Sequence, residues 1–175
     1  MQTNEDGTTN ADLIEGLRKY LDVRGFEIKT TVEAYEGQKD FTPDVISDPA
    51  KIMPHVMGAS NVVLSVGFCK FDPISKKYEL VEGHYMALAG FSNGDKLKLI
   101  VHDPDPATER EPAIHELFKI DSGILHGWDD ENEHDEHNAS GFNELEGIGI
   151  HEGDRREGAN KIVLDGIVAF EVFRK

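Results

Sequence analysis

The sequence predicts an α+β domain: one antiparallel sheet with two helices ahead of it. Three observations carry this. Residues 11–24 set Leu13, Ile14, Leu17, Tyr20 and Leu21 on one helical face. Residues 61–102 read as strands close in sequence and joined by turns. The elements come in the order helix, strand, helix and then a sheet, without the alternation that builds a parallel sheet.

Each element has a local cause. The polar residues 1–9 are expected to fray. Thr9 or Asn10 supplies a cap for the first helix, and Gly25 is placed to end it. Residues 26–32 alternate and are rich in β-branched side chains, which predicts a strand. Residues 36–48 are loop-like, and Asp48-Pro49 opens a short helix over 49–57, with Gly58 closing it. A strand over 61–71 runs into a turn at Asp72-Pro73-Ile74-Ser75, and a short strand over 77–81 precedes one over 84–91. Ser92-Asn93-Gly94-Asp95 is a hairpin turn leading to a strand over 96–102. Further on, strands are expected at 114–120, 147–151 and 161–173. An acidic loop occupies 127–141 and a charged one 152–160. No internal repeat is present.

A chain of 175 residues suits one domain, placed here at 10–175. The formal net charge of -16, from 34 acidic against 18 basic side chains, repels nucleic acid and anionic membrane surfaces. No apolar run approaches the roughly 20 residues of a membrane span, so no membrane insertion is expected. The polar, acidic stretch after Met1 offers no signal segment. Cys69 is the single cysteine, which excludes an internal disulfide and a cysteine-rich zinc site. Cytosol and secretion without disulfides are both compatible, and no cofactor is expected.

The residues that carry chemistry are Gly83-His84-Tyr85 and His102-Asp103-Pro104. Taken singly, a sheet histidine is more often a bonded structural residue, and an acid before proline is usually a turn former. Together they gain meaning: His84 is expected to begin one strand and Asp103 to end the next, at the same edge of the sheet. A carboxylate there could orient an imidazole base.

The runs VVLSVGF, EGHYMALAGF and LKLIVHDP, with the segment TTNADLIEGLRKYLDVRGF before them, resemble the papain-fold cysteine peptidases of the bacteriocin-processing, double-glycine-leader group. The resemblance covers about residues 10–105. It implies a papain-like core with N-terminal helices, His84 as general base, Asp103 as its orienter, and a peptide or protein as substrate or ligand. This chain departs from that pattern in one respect: no cysteine at a helix start precedes Asn10. A peptidase-like domain without its nucleophile is therefore expected, inactive as this chain alone, either a fragment or a non-catalytic relative. The alternative is a peptide-binding or interaction module.

Cys69 comes before His84 and Asp103 in the family's order, but it lies in an apolar strand where no helix N-terminus would activate it. It reads as a small buried hydrophobe on the side of Gly67 and Phe71. Residues 129–137 mix carboxylates with His134 and His137, which leaves a divalent-metal-stabilised structural protein as a further alternative. The spacing fits no EF-hand, and a solvated loop is the simpler reading. His102, Asp103 and Asp105 form a weaker metal candidate. Trp128 either lines a cleft or packs.

Overall fold

Beyond the first helix the chain is dominated by strands, and in the computed structural model these build a sheet that closes on itself. The structure describes residues 10–34, 61–93, 97–104, 113–128, 136–146 and 158–175. Helix α1 (Asn10–Asp22) precedes β1 (Phe26–Ala34). Then come β2 (Asn61–Asp72), β3 (Lys77–Asn93), β4 (Leu97–His102) and β5 (Ala113–Lys119). The last elements are β6 (Ile124–His126), β7 (Glu136–Asn138), β8 (Asn143–Glu146) and β9 (Lys161–Arg174). Strands β2, β3, β4, β5, β8 and β9 pair antiparallel in that cyclic order, and β9 pairs back onto β2. The result is a closed six-stranded barrel. β1 extends it beside β9, and β6 with β7 extends it beside the start of β3.

This corrects the expected α+β, papain-like core with N-terminal helices. Among the described residues α1 is the only helix, and the predicted helix over 49–57 lies outside them, as do residues 1–9 and the predicted strand over 147–151. The physical reason lies in β9, which is buried at every position from Ile162 to Phe170. A strand with both faces covered and neighbours on both edges is the centre of a sheet, not its margin. Half of the barrel strands (β5, β8 and β9) come from residues after 106, the part for which the resemblance offers no counterpart.

Closure needs curvature, and bulges supply it. Val81 and Ala89 are extra residues on β3, and Asp165 is the extra residue on β9. The bulge at Val81 also explains why β3 is a single strand where the sequence predicts two: Glu82 and Gly83 continue the ladder opposite Phe68 and Gly67.

Register identifies the interior. Val62, Leu64, Val66 and Phe68 of β2 share a face with Met86 and Leu88 of β3, Leu99 and Val101 of β4, Leu117 of β5 and Leu164 of β9. Most of them are fully buried.

Two elements cover the outside. Ile14 of α1 packs on Val168 and Phe170, with Leu17, Ile28 and Val63 around them. Gly25, at φ 77°, ends α1 with its N–H donating to the Asp22 carbonyl at 3.0 Å. At the other end the Trp128 ring packs against β2, where a Cβ on Gly67 would come within 2.6 Å of it. Among the described residues no helix is long and apolar enough to cross a membrane.

Candidate functional site

The closed ladder brings His84 and Asp103 into contact. His84 sits on β3 opposite Val66, and Asp103 follows directly on β4, whose last paired residue, His102, faces Ala87. His84 Nε2 and Asp103 Oδ1 are 2.6 Å apart, a short, charge-assisted hydrogen bond. Both side chains are mostly buried, 18% and 13% exposed, so solvent reaches them only narrowly. His84 is within β3 rather than at its start as expected, because β3 runs unbroken from Lys77. The Phe68 ring stands 6.0 Å from the imidazole, centroid to centroid. With Nε2–H donated to the carboxylate, the neutral ring holds its lone pair on Nδ1. Asp103 thereby fixes the tautomer.

His115, which the sequence analysis does not single out, belongs to the same interior. It pairs with Leu99 on β4 and is 2% exposed. Burial lowers its pKa below the usual imidazole range, against opposing pulls from a hydrogen bond to the Glu146 backbone and from the charge of Asp103. It is therefore neutral at pH 7. Its Nδ1 is buried without a hydrogen-bond partner. One signal could have located it. Strict alternation in AIHELFK sets Ala113, His115 and Leu117 on one face, and the Lys98–Glu116 ion pair at 2.8 Å marks the other face as solvent-facing.

Cys69 does not join this site. It lies on the opposite face of β2 from Val66 and Phe68, is fully buried, and its thiol donates to the Gly67 carbonyl at 3.2 Å. Burial pushes its pKa well up, and the nearby charges of Asp165 and Glu144 add to this. The thiol stays protonated and is no nucleophile. His102 is exposed, and Asp105 lies outside the described residues. Among the described residues no group of three or more His, Cys, Asp or Glu side chains could hold a metal ion. Of the acidic loop, 129–135 lies outside the described residues, and His137 pairs with Leu125 as part of β7.

A second acid is buried beneath Trp128. Asp165, the bulge residue of β9, is 1% exposed, and Trp128 Nε1 donates to its Oδ2 at 3.3 Å. Burial raises its pKa to about 6, opposed by hydrogen bonding from Ser65 and Trp128. Trp128 thus packs over this acid rather than lining a cleft. An acid inside the run KIVLDGIVAF was the available signal.

Comparison with protein-family models, with curated proteins and with solved structures returns no match to this chain.

Proposed function

We propose that this chain is a small-molecule-binding β-barrel with a general acid–base site, in which His84 is the base and Asp103 its orienter. The observation that carries this reading is the 2.6 Å bond between them on the inner face of a closed barrel. Cys69 supplies no thiol nucleophile to it, since it is buried on the other face of β2. A small molecule with an acidic C–H beside a carbonyl suits the geometry. His84 Nδ1 takes the proton, the C–H electron pair moves into the enolate, and the imidazolium, held by Asp103, returns the proton.

The test has two readouts. Diethyl pyrocarbonate mapped by mass spectrometry measures the nucleophilicity of each histidine, and His84 is expected to slow severalfold in Asp103→Asn. Proton–deuterium exchange of simple ketones, cyclohexanone and acetophenone, followed by NMR in D2O, is expected to depend on His84. Exchange no faster with the wild type than with His84→Ala, together with an unchanged modification rate in Asp103→Asn, would sink the proposal.

A further inference from the structure

Resting on that reading of the barrel interior, we infer that His115 is a ligand anchor: its Nδ1 accepts a hydrogen bond from the hydroxyl of a small, otherwise apolar molecule such as a phenol or alicyclic alcohol. The Glu146 backbone interacts with the ring and Nδ1 has no partner, so with the proton on Nε2 the neutral imidazole presents its Nδ1 lone pair. That nitrogen belongs to a side chain only 2% exposed and has no hydrogen-bond partner. An acceptor buried in this way is an incomplete hydrogen bond waiting for a donor. Its surroundings set the class of donor. Leu99 is its direct cross-strand neighbour, and Val101, Leu117 and Met86 belong to the same inner face. A charged ammonium would lose more hydration there than one hydrogen bond replaces, whereas a hydroxyl on an apolar body loses far less and regains a bond at Nδ1.

The placement also serves the proposed chemistry. Asp103 is bonded to His84 and its charge also acts on His115, so both rings lie near one carboxylate. A hydroxyl held at His115 would fix the distance from that end of the molecule to the C–H that His84 attacks. His115 would thus decide which molecules bind, and His84 what happens to them.

Phenol and toluene, nearly equal in size, make the probe pair. Binding is measured by NMR with uniformly 15N-labelled full-length protein, and the His115 Nδ1 resonance is followed through long-range 1H–15N correlation. Phenol is expected to bind about tenfold more tightly than toluene, the worth of one ordinary hydrogen bond, and to move the His115 Nδ1 resonance. His115→Leu should abolish the preference while toluene still binds. If that variant does not fold, His115→Gln serves instead: its side-chain oxygen restores an acceptor and should restore the preference. Equal affinity for both probes, or binding of neither, overturns the inference. So does an Nδ1 resonance already shifted in the free protein and unmoved by phenol, which would mean that a fixed water is its partner. In His84→Ala the phenol preference should persist while ketone exchange is lost, so failure of the base and failure of the anchor read out separately.

Discussion

Replacing Asp165 with asparagine should make this protein more stable at neutral pH and remove part of its pH dependence. Asp165 is sealed under Trp128 at a bulge of β9, and burial lifts its pKa from 3.8 to about 6. Between those values the folded protein binds more protons than the unfolded chain, so stability falls as pH rises. It is fully present below about pH 4 and gone above about pH 6. Two units correspond to about 3 kcal/mol. About 1 kcal/mol has already gone at pH 4.5, leaving about 2 kcal/mol to be lost between pH 4.5 and 7.5.

Asparagine keeps an oxygen for the Trp128 and Ser65 donors and carries no ionisable proton. Other carboxylates titrate over the same range, and taking the difference between variant and wild type cancels them. Urea unfolding is well suited as the assay, because Trp128 is the single tryptophan and sits on the perturbed group. The stability difference, variant minus wild type, should grow by about 2 kcal/mol from pH 4.5 to 7.5. A difference that stays constant across that range would refute the reasoning, because it would mean that Asp165 ionises in the folded protein as easily as in the unfolded chain.

Other perturbations test the rest of the structure. Gly67→Ala would place a methyl 2.6 Å from the Trp128 ring and 2.8 Å from Leu80 Cδ1. We expect a loss of about 1–3 kcal/mol and a red-shifted tryptophan emission. Emission unchanged from wild type would show that the ring does not cover β2. Cys69 should react with a thiol-specific disulfide reagent only on unfolding, so its rate in urea should track the unfolded fraction. Fast labelling of the native protein would contradict its burial. Ile14→Ala should lower stability by about 2–4 kcal/mol by opening the contact of α1 with Val168 and Phe170. A change below about 0.5 kcal/mol would show that α1 is not docked.

What the sequence disclosed was local. The Asp72 turn is made by short-range bonds, its carboxylate accepting from Ile74 N at 2.9 Å and Ser75 Oγ at 2.7 Å. The α1 stop at Gly25 has its left-handed backbone. The His84–Asp103 contact was legible for the same reason: it joins neighbouring strands of one hairpin. Barrel closure was not. It depends on β2 meeting β9 across 109 residues at Asn61 and Phe170, and alternation says which face a strand buries but not which strand it meets. Nor does it reveal a bulge such as Asp165, which aims an acid into the space under Trp128.

His115 is where hydropathy and structure disagree most sharply. Ile114 is 59% exposed and its neighbour His115 is 2% exposed, the reverse of their polarity. Register explains the side but not the residue. A one-residue slip of β5 would bring Glu116 inward and break its bond to Lys98, so β5 is held as it is and position 115 must point inside. A leucine would serve that position better. Losing the bond to the Glu146 backbone would cost about 1 kcal/mol, while an unpartnered buried nitrogen already costs about 1–3 kcal/mol. His115→Leu should therefore be as stable as wild type or up to about 2 kcal/mol more stable in urea unfolding. Such an outcome would mark a residue kept against stability, as binding sites tend to be. A loss above about 1 kcal/mol would instead make His115 part of the scaffold, and the anchor would lose its main physical argument.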